Sequence, residues 1–196
     1  MALINEASLR ALAMSRTTQF SESTSSALLK SVMKAASLDS FDIFLSHSYL
    51  DKELVYGIVE FLEDMGYLVY VDWKNDSQLN RENVTKETAQ LVRKRITQSK
   101  SLLFATTEGA KDSKWMPWEL GYMDGKKARS AILPVARRNV QTDMYVGQEY
   151  LGIYPYIVEG NDPNHINRLW VHENEKTYVW FDEWLNGSEP QRRAII

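Results

Sequence analysis

The sequence predicts a flavodoxin-like, doubly wound α/β fold: a mostly parallel five-stranded sheet with helices on both faces, plus an N-terminal helical extension. Three observations lead there. From Phe41 onward, short apolar runs alternate with segments of helical period, and that alternation implies right-handed crossovers and parallel strands. The apolar runs lack polar alternation, as strands covered on both faces do. The length, 196 residues, suits one domain, and a domain of this size buries roughly 70% of the surface its unfolded chain exposes.

The elements follow in order. Residues 1–39 are rich in Ser, Thr and Ala and contain no Gly or Pro. Leu3, Ala7, Arg10 and Met14 suit one helix; Leu28, Leu29, Val32, Met33 and Ala36 suit a second, with polar Thr17–Ser26 as a linker. This extension can pack on the domain, mediate self-association or stay mobile. Phe41–Ser46 reads as a buried strand. Ser48 or Asp51 can cap the next helix, whose apolar stripe is Leu54, Val55, Ile58, Val59, Leu62 and Met65, with Gly66 ending it. Tyr67–Asp72 is β-branched and aromatic, a second strand. Trp73–Asn83 is a polar loop, long for its place and therefore a candidate working loop.

Val84–Ser99 is helical, with Val84, Leu91, Val92 and Ile96 on one face. Ser101–Thr107 is a third strand. The helix Trp115–Lys127 tolerates Pro117 because it falls in the first turn. Ala131–Ala136 is a fourth strand, and Pro134 places it near an edge. Tyr154–Glu159 is the fifth. The tail carries Trp170, Tyr178, Trp180, Phe181 and Trp184 and reads as a cover docked on the core, with a polar end from Asn186. The chain thus divides into 1–39, the helical extension; 40–160, the α/β domain; and 161–196, an aromatic segment packed on it.

Composition narrows the function classes. Net charge is −3 with a pI near 5.7, and the basic pairs are short, which leaves nucleic-acid binding unsupported. There is no cysteine, which removes disulfides and thiolate chemistry and fits a reducing, cytoplasmic location. No apolar run reaches transmembrane length, and Asn5, Glu6 and Arg10 interrupt any signal-peptide core. His47, His165 and His172 lack metal-ligand spacing, so no metal is expected. Phosphate-loop and dinucleotide fingerprints are absent as well.

Ligands of open parallel sheets bind beyond the carboxyl ends of the strands. Here those ends are Ser46-His47-Ser48, Asp72-Trp73 and Thr106-Thr107. The helix after the third strand opens Ser113-Lys114-Trp115-Met116-Pro117-Trp118-Glu119. Trp115 and Glu119 are four apart and share a face, which Tyr122 extends by a turn. An indole beside a carboxylate suits a cationic, ring-containing substrate. Breaking an N-glycosidic bond develops positive charge on the ribose, which a neighbouring carboxylate stabilises. Nicotinamide in NAD already carries positive charge, so no general acid is required and one carboxylate suffices. The plain alternative is that a Trp and a Glu at this spacing are a commonplace pair.

The segments Phe41–Ser48, Tyr70-Val71-Asp72-Trp73, and Ser113-Lys114-Trp115 with Glu119 and Gly121–Gly125 together resemble the TIR domain family, especially its stand-alone bacterial members. The resemblance spans about Ser40 to Glu159. It implies that Glu119 is the catalytic carboxylate and that Trp115 shapes the nicotinamide-ribose pocket. It further implies that Phe44, Ser46, Asp72, Trp73 and Ser113 lie in or near that pocket. Asp72 has an alternative role capping the following loop, Phe44 as ordinary core, and His47 reads as a hydrogen-bonding rim residue. NAD would be the substrate and not a resident cofactor. Members of this kind act in anti-phage defence of the Thoeris type, where a cyclised ADP-ribose activates a second effector protein. The resemblance therefore implies a homo-oligomer through TIR–TIR contacts and a downstream effector. The competing expectation is a non-catalytic interaction module.

Overall fold

The computed structural model describes residues 1–19, 40–48, 51–72, 85–137, 143–147 and 149–192. The second N-terminal helix, the loop after the second predicted strand, and Trp73 lie outside the described residues. The chain starts with a short strand β1 (Ile4–Asn5) running into α1 (Glu6–Gln19). Then follow β2 (Phe41–Ser46), α2 (Lys52–Asp64), β3 (Val69–Tyr70), α3 (Lys86–Gln98), β4 (Ser99–Thr106), α4 (Trp115–Lys127) and β5 (Ser130–Ala136). The last elements are β6 (Tyr156–Asn161), β7 (Asn167–Asn174), β8 (Thr177–Trp180), α5 (Phe181–Leu185) and β9 (Gln191–Arg192).

Five strands are parallel in the order β3-β2-β4-β5-β6, and β1 pairs in parallel with β5 off that path. In chain order of those five this is 2-1-3-4-5, the flavodoxin arrangement. The five-strand expectation needs one correction, because the described sheet has nine strands. β7, β8 and β9 continue it antiparallel beyond β6. The aromatic tail is therefore largely sheet and not a separate cover. Its side chains alternate between faces: the rings Trp170, Tyr178 and Trp180 face one side, the aliphatic Leu169, Val171 and Val179 the other. Only α5 docks as a cap, burying Phe181 and Trp184.

Strand side chains alternate between two apolar layers, as the pleat requires. One layer joins Leu45, Leu103, Leu133 and Ile157 to α1, α2 and α5. The other joins Phe44, Phe104, Ile132 and Val158 to α3 and α4. α2 buries Leu54, Val55, Ile58, Val59 and Leu62, and Gly66 follows it at φ +94°, a conformation that costs glycine little.

Two further expectations are corrected. Pro134 does not mark an edge, since β5 lies between β4 and β6. The Ile132 N–H points toward β6, donating to the Pro155 carbonyl. Pro134 has the same parity, so its missing N–H falls on that side too. There β6 pairs with β5 only at Ile132, and β1 takes over at Val135. The proline occupies the changeover, where no ladder bond is lost. The N-terminal segment fills this gap: Ala2 exchanges backbone hydrogen bonds of 2.8 and 2.9 Å with Glu159.

The first helix forms, but its buried face is Leu9 and Ala13; Ala7 and Met14 are exposed. Tertiary contact with α2 chose that face. Arg16 pairs with Asp64 at 2.6 Å, and Arg10 with Glu53 at 3.4 Å. The two helices meet at Gly57, where a Cβ would come within 2.7 Å of the Leu9 carbonyl carbon. Gly57→Ala is expected to destabilise the fold by roughly 1–3 kcal/mol through overpacking. Urea unfolding checks this, and an unmoved midpoint would mean that α1 does not seat on α2.

His172 of β7 is buried between Tyr156 and Tyr178, with ring centroids 5.6 and 4.9 Å away. Burial penalises the imidazolium and lowers its pKa from 6.5 to about 4. The folded chain holds this ring neutral, while the unfolded chain takes up the proton near 6.5. Its contribution to stability is therefore complete above that pH and is lost as pH falls toward 4. His172→Phe should flatten the fall in melting temperature across that window, and an identical profile would refute the assignment.

Candidate functional site

The site starts with the last residue of β2. Ser46 has the parity of Phe44, so its hydroxyl faces the α3/α4 layer. It is paired in register with Phe104 of β4. These two strands flank the point where chain order reverses, the crevice at which ligands of doubly wound sheets bind.

α4 brings the carboxylate to that point. Ser113 begins the helix by accepting a hydrogen bond from the Met116 N–H at 3.3 Å, the cap geometry expected of serine. Pro117 is its third residue, inside the tolerated first turn. The helix then buries Met116, Glu119, Leu120 and Met123. A carboxylate thus shares a face with two methionines and a leucine. Glu119 is 0% exposed, and the Ser46 hydroxyl donates to its Oε2 at 2.6 Å. That short O–H···O bond is of the charge-assisted kind. Taking a carboxylate out of water costs several kcal/mol unless hydrogen bonds offset it, and Ser46 supplies one.

The other predicted residues divide into groups. Trp115, one turn before Glu119, is half-buried against the same apolar layer and meets Trp118 edge-on at 5.4 Å. Tyr122 does not extend the Trp115–Glu119 face. It stacks on Trp118 at 5.8 Å, and Arg93 of α3 lies over both rings. The reason is packing: the inward arc of α4 is filled by Met116, Leu120 and Met123, which turns Tyr122 toward α3. Phe44 is fully buried and stacks on Tyr70 at 5.0 Å, in the position of a core ring. Ser113 acts as the helix cap. Trp73 is outside the described residues.

Asp72 finds a partner that the sequence reading placed at the rim without assigning it. His47 Nδ1 donates to the Leu45 carbonyl at 2.9 Å, and Nε2 faces Asp72 Oδ1 at 3.4 Å, with both side chains buried. This pair ties the end of β2 to the end of β3, immediately beside Ser46. Adjacent rim positions on paired strands were the available signal, but nothing in the spacing specified the contact.

A cavity of about 830 Å³ opens at the same end of the sheet, over β4 and β5. Thr106, Thr107 and Pro117 line it, together with the segment around Tyr145 and Tyr150. Sequence reading marked Thr106-Thr107 as a rim end but missed the 145–151 segment, which lies far from them in sequence. Phe104 is common to this cavity and to the layer holding Glu119.

Residues 43–169 match the TIR domain family. Over 146 residues, 74% of this chain and 75% of the relative, the sequence is 50% identical to a Bacillus cereus (strain MSX-D12) protein named "Probable 3' cyclic ADP-D-ribose synthase ThsB'". A Cytobacillus dafuensis protein, named as a cyclic ADP-D-ribose synthase, is 37% identical over 83 residues, 42% of this chain and 22% of its own length. Among solved structures, the TIR domain of the Toll-related receptor TRR-2 from Hydra magnipapillata aligns with a TM-score of 0.39 and 16% identity, covering 53% of this chain and 75% of that one.

Ser46→Ala would leave the buried carboxylate without this donor, at a cost of roughly 1–3 kcal/mol in stability. A double-mutant cycle with Glu119→Ala, which removes the acceptor, should give a coupling of about 1 kcal/mol or more between the positions. Additive effects would mean that the hydroxyl does not hold the carboxylate.

Proposed function

This chain belongs to the TIR domain family, and from that premise we propose that it cleaves NAD at the nicotinamide–ribose bond, with Glu119 as the catalytic carboxylate. The observation that carries the reading is a fully buried carboxylate, held by Ser46 at the reversal point of the sheet. The relatives named as cyclic ADP-D-ribose synthases support the same substrate. Cyclic ADP-ribose is what NAD leaves when nicotinamide departs and the remainder closes on itself.

The chemistry follows from charge. The bond between ribose C1′ and the ring nitrogen breaks, and its electron pair moves onto the nitrogen. Nicotinamide leaves neutral and positive charge develops on the ribose. Glu119 stabilises that charge, and no proton donor to the leaving group is needed. Water, or a hydroxyl or ring nitrogen of the same molecule, then attacks C1′. A site that excludes water and folds the substrate favours internal attack. Glu119 and Ser46 are both buried, and the relatives named as cyclic ADP-D-ribose synthases support internal attack.

The family and these relatives support a role in anti-phage defence, where the cyclic product serves as a signal for a second effector protein. Self-association through TIR–TIR contacts is part of this reading, as is action in the cytoplasm, where NAD is available. Among the described residues no helix is long and apolar enough to cross a membrane.

Incubation of the purified chain with NAD, followed by chromatography and mass spectrometry, is expected to yield nicotinamide and a cyclic ADP-ribose isomer. Assays at high protein concentration and with infected-cell extracts cover a requirement for assembly or a trigger. Glu119→Gln keeps the size and the hydrogen bond to Ser46 but removes the charge. Loss of electrostatic stabilisation of this kind is worth about 10²–10³ in kcat. Turnover at the wild-type rate in that variant would sink the assignment.

A further inference from the structure

We propose that the cavity over the carboxyl ends of β4 and β5 is the subsite for the adenosine-diphosphate half of the dinucleotide, beside the carboxylate that receives its nicotinamide ribose. The proposal rests on NAD being the substrate. It assigns a place in the fold to the part of that substrate which Glu119 does not touch.

Continuity with the carboxylate comes first. Ser46, which holds Glu119, is paired in register with Phe104. In-register partners on parallel strands lie about 4.8 Å apart and point to the same face. Phe104 lines the cavity, and so does Thr106, two residues further toward the carboxyl end on that face. The cavity therefore begins one strand away from the Ser46–Glu119 pair. The N-terminal half of α4 borders both, through Pro117 on the cavity side and Glu119 on the buried side.

Size and chemistry come next. The volume, about 830 Å³, lies within the range of cofactor and nucleotide pockets. Its groups match the three parts of a nucleoside diphosphate. Tyr145 and Tyr150 offer ring faces for a base, and base–aromatic stacking needs no particular base edge. Lys111 and Arg137 bring cations for phosphate oxygens. Asp112 and Glu149 supply carboxylate acceptors for ribose hydroxyls or an exocyclic amine, as do the hydroxyls of Thr106 and Thr107. The two carboxylates cancel the two cations in net charge, so recognition depends on placement and not on a general positive field.

The outer wall is built to a defined shape. Residues 143–147 and 149–153 approach each other where Gly147 and Gly152 touch; a Cβ at Gly147 would lie 2.6 Å from the Gly152 nitrogen. This pinch holds Val146 and Tyr150 outward, 81% and 43% exposed, at the cavity mouth. Apolar groups held in water there gain when a base covers them.

The test uses the full chain and its Lys111→Ala and Tyr150→Ala variants, both at exposed positions that should leave folding intact. Steady-state NAD cleavage is measured, along with binding of ADP by calorimetry and its inhibition of the reaction. The expected result is competitive inhibition by ADP, with ADP affinity and KM for NAD each weakened about tenfold in the variants, the loss of one stacking or charged contact. The loss should fall on KM more than on kcat. If Glu119→Gln abolishes cleavage while the cavity variants keep the wild-type KM and ADP affinity, the subsite is refuted and the NAD-cleaving reading stands. If NAD is not cleaved at all, that reading fails, and ADP binding decides the cavity alone: binding weakened in the variants upholds a nucleotide site, and no binding overturns it.

Discussion

A buried hydrogen bond, from the Ser46 hydroxyl to the Glu119 carboxylate, joins the sheet to the helix that carries the chemistry. A carboxylate at zero exposure is expensive to fold. Burial among Met116, Leu120 and Met123 makes it more so, since those side chains return no hydrogen bond. The bond forms only if β2 and β4 are in register, if β2 ends at Ser46, and if α4 begins where Ser113 and Pro117 place it. A one-residue slip of β2 would turn Ser46 to the opposite layer. Strand register, helix start and site geometry are therefore one constraint.

The rest of the molecule supports that point from both sides. Beside Ser46, His47 and Asp72 tie the end of β2 to the end of β3. The stacked Phe44 and Tyr70 rings fill part of the same apolar layer. On the far side, the sheet is extended by strands that cover what would otherwise be an exposed edge at β6. The segment before α1 closes the gap where β5 and β6 diverge. The carboxyl ends of β4 and β5 are left to open into the cavity, one strand from Ser46.

The legible parts of the sequence share a physical character: they depend on neighbours within a few residues. The limits of α4 follow from Pro117, which can only sit in a first turn, and from the residues it spaces. α2 follows from an apolar stripe at helical spacing ending in Gly66. The five parallel strands follow from short apolar runs separated by those helices. The illegible parts depend on distant partners. Pro134 reads as an edge signal because the sequence does not say that β6 ends its pairing at Ile132 and that β1 replaces it. The buried face of α1 is chosen by Gly57 of α2, not by α1's own pattern. Tyr122 lies where periodicity puts it, but Trp118 and Arg93 claim its ring. The tail's rings announce packing without saying whether they cover a sheet or extend it.

What the sequence determined by itself is the layered α/β class, the order of its parallel strands and helices, and the presence of an indole and a carboxylate one helical turn apart after the third of those strands. These are local matters, set by periodicity, turn chemistry and the stiffness of proline. Only the tertiary structure decided that the carboxylate is buried and bound to Ser46 73 residues away, that Asp72 meets His47, and that a cavity opens one strand from Ser46. Contacts between elements depend on register and on which face of a helix is pressed against the sheet. Those quantities come from packing the whole chain at once, and no short stretch of it carries them.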